Sequence, residues 1–248
     1  MKRIAPIAIC LILSAGCSKK DEECPPCLGA LKKYQEAVGE VHTDRQEVGT
    51  ASSILKASKT SNASVAAIKT AKMNLEVLPL TDEKLLEWRK TVITHFDKTV
   101  LLFNEWGTQL LLAVKTETMG SDFESQLEKG TSAIEAVCEQ KVRHRRARRK
   151  QSRACKKMAP VLEALVFKDL VPTKIEAIKH DLEEVANGYD DFKTPVAQTN
   201  ETLGGIKALL EQRAKIDQKI DSTRNAIERH RKAFEPLEKK VETYCAPK

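Results

Sequence analysis

The sequence predicts an all-α protein, an elongated antiparallel helical bundle that ends in a coiled-coil-like helix. Three observations carry this. Charged residues make up 31% of the 248 residues and aromatics only 4%. They sit in long runs of Ala, Leu, Lys and Glu with few, clustered turn residues, a composition that favours extended amphipathic helices. No stretch alternates apolar and polar residues as a half-buried strand would. The last part of the chain keeps one heptad register, with Ile206, Arg213, Ile220, Ile227, Phe234 and Val241 at a and Leu209, Ile216, Thr223, His230, Leu237 and Tyr244 at d. That repeat is the mark of a coiled-coil seam.

The elements follow in order. A first helix starts near Leu28 and places Leu31, Tyr34, Val38, Val41, Val48 and Leu55 on one seam. It weakens across 58–64 (SKTSNAS) and resumes through Val65, Ile68 and Leu75 before Pro79. Thr81, Asp82 and Glu83 supply a start signal for a second helix, whose stripe of Leu85, Val92, Phe96, Phe103, Leu110 and Val114 marks the most buried one. Met119-Gly120 is expected to end it. Ser121-x-x-Glu124 reads as a capping box for a third helix, which runs to about Pro160, where the missing N–H kinks or restarts it. Pro172 opens a shorter helix that closes at Asn187-Gly188 in a left-handed cap, and Thr194-Pro195 opens the last one.

Ahead of these helices Lys2 and Arg3 precede an uncharged apolar run from Ile4 to Leu13, then Ser14, Ala15, Gly16 and Cys17. This is the layout of a secretory signal peptide, too short for the roughly 20 residues of a spanning helix. The SAGC ending resembles the lipobox of the bacterial lipoprotein family, with Ser14 where that family usually has Leu. The resemblance implies that residues 1–16 are removed and that the Cys17 thiol carries diacylglycerol. It also implies a lipid-anchored tether over 17–27; the helical body over 28–248 rests on the composition and periodicity described above. The implied address is the bacterial cell envelope, bound to a membrane through the lipid. In a cell with two membranes Ser18 resembles lipoproteins sent to the outer one, on its periplasmic face.

Loss of Lys2 and Arg3 lowers the formal charge from +7 to +5. Ten Lys and Arg residues lie in 141–157 (KVRHRRARRKQSRACKK), and no acid occurs between Glu139 and Glu163. Without those ten charges the processed chain stands at −5, so its basicity belongs to this one segment. On a continuous helix Arg143, Arg146, Lys150, Arg153 and Lys157 line up at 3,4,3,4 spacing as a stripe that suits an anionic partner, with Ala147, Ala154, Met158, Val161 and Leu165 turned inward. Two blander readings stand beside this. The stripe is a solvated face neutralised by Glu183, Glu184, Asp190 and Asp191, or the segment is a basic loop closed by a Cys138–Cys155 disulfide. A continuous helix would hold those two cysteines about 25 Å apart, against the Cα separation of about 6 Å that a disulfide needs.

In an exported chain Cys24, Cys27, Cys138, Cys155 and Cys245 are candidates for disulfides, and their odd number leaves one thiol over. The CPPC of 24–27 has redox spacing without a strand–helix–strand context, and a structural bond or tether is expected there rather than a thiol oxidoreductase. Metalloprotease, di-iron, nucleophile-elbow and P-loop signatures are absent from the sequence. His180 and Glu184 make two exposed ligands, short of a metal site, and His230 in the seam reads as a hydrogen-bonded core histidine. The expectation is therefore a non-enzymatic structural or interaction module with no cofactor or metal. Its expected partners are a membrane, anionic lipid or polysaccharide at the basic face, and a protein or a second copy along the heptad face. Nucleic acid is not expected, because the chain is exported. The alternative is a ligand-binding or chaperone-like periplasmic lipoprotein, which would need a large apolar cavity.

Overall fold

A computed structural model describes residues 19–46 and 51–246. The signal segment, the lipidation candidate Cys17 and the seam residue Val48 lie outside the described residues. Six helices account for nearly all of the rest: α1 (Lys19–Gln46), α2 (Ala51–Glu76), α3 (Glu83–Glu139), α4 (Arg145–Glu163), α5 (Pro172–Asn187) and α6 (Lys193–Cys245). Short 3-10 turns precede α5 and α6. The chain is an all-α bundle. It divides into two compact units, one built from residues up to 111 together with 220–248, the other from 112–219. Among the described residues no helix is long and apolar enough to cross a membrane.

The first unit packs α1, α2, the first half of α3 and the second half of α6. Successive contacts fix the directions. Ser58, Ser61 and Lys72 of α2 meet Gly107, Phe103 and Asp97 of α3 in reverse order, so those two helices are antiparallel. Glu23 and Tyr34 of α1 meet Asp82 and His95 in the same order, whereas Tyr244 and His230 of α6 meet them in reverse. Its core holds Phe96, Phe103, Trp106 and Ile68, all fully buried.

The expected weakening at 58–64 does not occur. Ser58, Ser61 and Ser64 are buried on one face of α2. Ser61 Oγ donates to the Phe103 carbonyl at 2.8 Å, and a Cβ on Gly107 would sit 3.4 Å from that Oγ. Small side chains here let two backbones approach, and the hydroxyls of Ser58 and Ser61 find acceptors across the gap instead of competing with their own helix, while that of Ser64 is buried without a partner among the described residues. The start of α1 differs too. It is already helical at Lys19, where the described residues start, well ahead of Leu28, and most of the expected tether is helix, with Cys24 and Cys27 buried.

The second unit packs the remainder of α3 and α6 around α4 and α5, over a core that includes Ile134, Met158, Ile175, Leu182, Phe192 and Leu203. Gly120 and the Ser121-x-x-Glu124 sequence sit inside α3, so no helix ends there. A Cβ on Gly120 would lie 3.6 Å from the Phe167 ring; the glycine serves packing, and the capping residues stay helical. The left-handed cap expected at Gly188 is also absent, since its φ is −85° and no described residue has a positive φ. Pro172 does open α5, as expected.

The heptad residues of α6 are spent inside each unit. Ile206, Leu209 and Ile216 are buried in the second unit and Ile220, Thr223, Ile227, Phe234 and Val241 in the first.

Candidate anion-binding hairpin

The segment that carries the excess charge is neither a continuous helix nor a loop. α3 stops at Glu139, residues 140–144 turn the chain, and α4 begins at Arg145. Cys138 and Cys155 are joined across this turn, with Cα atoms 5.7 Å apart. Gln151, only 5% exposed, completes the hairpin. Its Nε2 donates to the Val137 carbonyl at 2.6 Å and to the Gln140 carbonyl at 3.0 Å. Carbonyls at a helix C-terminus have no partner within the helix, and a side chain from α4 supplies one.

α4 buries one narrow face made of Gln151, Ala154, Met158 and Val161. Most of the remaining surface as far as Lys157 is cationic. At 3.6 residues per turn, Arg146, Lys150, Arg153 and Lys157 form one flank, Arg145, Arg149 and Lys156 the crest, and Arg148 the other flank. Arg143 belongs to the turn, so it does not join the stripe that a continuous helix would give it. All ten cations of 141–157 are exposed.

Among the described residues only one of these ten, Lys157, enters an ion pair. It lies 3.6 Å from Glu184, with both side chains more than 60% exposed, where such a pair contributes little. The other acids expected to neutralise the stripe have different partners. Glu183 accepts from Asn200 Nδ2 at 3.0 Å and Asp190 pairs with Lys193 at 2.7 Å. Asp191 lies close enough to Tyr189 to raise its hydroxyl pKa, after burial. The hydrogen bond from Lys193 holds the Asp190 carboxyl below its ordinary value, with Lys150 adding a smaller attraction from a distance.

The turn and the second flank enclose an open notch of about 870 Å³. Lys141, Arg143, Arg148 and Lys156 line it, with Glu139 the one acidic residue in its lining. Sequence reasoning missed the notch because it needs the turn at 140–144. The available signal was the pair of cysteines bracketing the cations at a separation of 17.

The remaining candidates lie elsewhere. Cys24 is bonded to Cys245, Cα atoms 5.4 Å apart, so the CPPC cysteines are not joined to each other. Cys27 is the unpaired one, and burial pushes its thiol up to about 11, where little thiolate forms at neutral pH. Beside that disulfide, Glu23 accepts from the Asp82 and Thr81 backbone N–H groups at 3.0 and 2.8 Å. These bonds, Asp82's first, lower its carboxyl pKa. Asp82 in turn caps α3 through the Lys84 and Leu85 N–H groups, both at 3.0 Å, and accepts from the Tyr244 hydroxyl at 2.7 Å.

His230 is hydrogen-bonded as expected but half-buried, with Nε2 donating to the His95 carbonyl at 3.2 Å and its ring stacked on His95 at 3.7 Å. The Tyr34 hydroxyl lies 2.7 Å from His95 Nε2 and 3.2 Å from Thr99 Oγ1. Because Thr99 donates to the His95 carbonyl, both contacts close together when His95 Nε2–H donates to Tyr34 and Tyr34 donates to Thr99. Burial, followed by the charges of His230 and Lys98, lowers the His95 pKa to about 3. His180 is exposed, and among the described residues no group of three or more His, Cys, Asp or Glu could hold a metal ion.

No protein-family model, curated protein or solved structure matches this chain.

Proposed function

We propose that this chain is a non-enzymatic, lipid-anchored helical protein of the bacterial envelope, a structural or interaction module that docks anionic material through the basic surface of α4. The supporting observation is that nine of the ten cations in 141–157 form no ion pair among the described residues. A solvated helix surface normally intersperses both signs, and like charges packed this closely repel one another. An anionic surface relieves that repulsion, at a strength that falls steeply with salt. The anchoring half of the proposal rests on the SAGC ending at Cys17.

The ligand-binding or chaperone-like alternative gains no support from the apolar cavity beside Cys27, Leu31, Leu75 and Trp88. At about 20 Å³ it has room for about one water.

Two experiments test the proposal. Cys17→Ala should release the protein from membranes, and mass spectrometry should find lipid on Cys17 of the wild type; a membrane-bound variant or an unlipidated start overturns the anchor. Reversing Arg146, Lys150 and Arg153 to Glu should preserve helicity and abolish binding to anionic vesicles or anionic polysaccharide at low ionic strength. Loss of the fold would instead mean that α4 is neutralised internally, and persistent binding would remove the docking surface.

A further inference from the structure

We infer that the notch between the 140–144 turn and α4 is a preformed binding site for a multiply charged phosphate group, a diphosphate or phosphomonoester, held by Lys141, Arg143, Arg148 and Lys156. The inference deepens the docking reading of the basic surface, yet it concerns a different set of side chains. Arg146, Lys150 and Arg153 lie on the opposite flank of α4 and do not line the notch.

Three features carry it. The first is convergence: four cations from two backbone segments line one concavity, and none of them enters an ion pair among the described residues. Two are guanidinium forks, the side chain that matches the oxygens of phosphate two at a time, and two are ammonium point charges. Four positive charges facing one acid call for a ligand with more than one negative charge, which a carboxylate lacks.

The second is rigidity. Cys138 and Cys155 both line the notch and are bonded to each other, and the buried Gln151 ties α4 to the end of α3. The cations are thus held together before any ligand arrives, so the cost of gathering like charges is already met by the fold. Glu139 is the one acid in the lining, and the first turn of α4 contains Arg145, Arg146 and Arg148 and no acid, at the end of a helix where acids are favoured.

The third is the character of the lining. At about 870 Å³ the notch exceeds a single phosphate and falls within the range of small-molecule sites. No aromatic side chain lines it, so a base or sugar finds no stacking surface. Recognition falls on the phosphate and not on what the phosphate is attached to.

The test is calorimetric titration of the full, oxidised chain with inorganic pyrophosphate at low ionic strength. Arg143→Gln with Arg148→Gln should weaken binding at least about tenfold, roughly the loss of one charge-assisted pair. Arg146→Gln with Lys150→Gln and Arg153→Gln should change it less than about threefold, the residue of long-range attraction. Cys138→Ser with Cys155→Ser should weaken pyrophosphate binding while α-helical content by circular dichroism stays within error. Two arms separate the sources of the phosphate. If pyrophosphate displaces the wild type from vesicles rich in anionic lipid, the ligand is a headgroup phosphate; if it binds without displacing, the ligand is a soluble phosphate compound. Absence of pyrophosphate binding by the wild type, or unchanged affinity in the Arg143/Arg148 variant, overturns the site. Neither result touches the docking reading, which stands or falls with the opposite flank on vesicles and polysaccharide.

Discussion

The two units close themselves with disulfides of opposite kinds. In the first, Cys24–Cys245 joins residues 221 positions apart, in a region where Glu23, Asp82 and Tyr244 already interlock and an aromatic and histidine cluster fills the interior. In the second, Cys138–Cys155 closes a stretch of 17 around like charges, of which only Lys157 enters an ion pair among the described residues. Chain-entropy reasoning assigns the long closure about 5 kcal/mol and the short one about 3 kcal/mol. One bond acts mainly on the unfolded chain as a whole. The other fixes a local arrangement that its side chains would otherwise push apart.

That contrast can be broken by experiment. The largest effect should come from Cys24→Ser with Cys245→Ser, expected to lower the unfolding free energy by about 3 to 5 kcal/mol in a denaturant titration. Cys138→Ser with Cys155→Ser should cost less globally and show itself as faster amide exchange confined to residues near the turn and α4. Equal global losses from the two removals would abolish the distinction.

Acid should then single out the first unit. His95 has a folded pKa of about 3 against an ordinary 6.5, so the unfolded chain binds more protons between those values. The neutral ring's contribution, on the order of 4 kcal/mol, is fully present above pH 6.5 and is lost as pH falls towards 3. Glu238, raised chiefly by burial and then by Glu242 and Glu235, works in the opposite sense and favours the folded state below its ordinary value. Melting temperature followed from pH 7 down to 4 should therefore fall, and His95→Gln should flatten that slope; an unchanged slope would remove His95 as its source.

The smallest effect belongs to the second unit's own packing. A Cβ on Gly205 would meet the Phe123 ring at 2.5 Å. Overpacking costs about 1 to 3 kcal/mol, while alanine returns about 1 kcal/mol of helix propensity. Gly205→Ala should therefore destabilise by about 1 kcal/mol, and a stabilised variant would show that the ring moves freely.

Much of the bundle was legible in the sequence because the deciding signals were local. Asp82 caps α3 from the position where its residue type is favoured, Pro172 opens α5, and eight of the twelve a and d residues of α6 are buried. What was missed depends on distant partners. Gly120 looks like a stop, yet Phe167 and Leu209 pack over it. Ser58 and Ser61 look weak for a helix until Gly107 and Phe103 receive their hydroxyls. The break at 140–144 has no glycine or proline to announce it and depends on Cys155 and Gln151 reaching back. The basic segment was visible at once as a composition, but a helical projection assigned Arg143 to the wrong group of charges and left the notch unseen.

The bond between Cys24 and Cys245 also bears on what a protease can accomplish. A single cut anywhere between these residues leaves two pieces that are still one covalent molecule, and a cut within the 140–144 turn is spanned a second time by Cys138–Cys155. If Cys17 is the lipid-bearing residue, the nicked protein stays on its membrane, C-terminal fragment included. Shedding requires a cut between Cys17 and Cys24, two cuts that free an internal piece, or reduction together with cleavage. A gel run with and without reductant after limited proteolysis would separate intact chains from nicked ones, which membrane fractionation alone would count together.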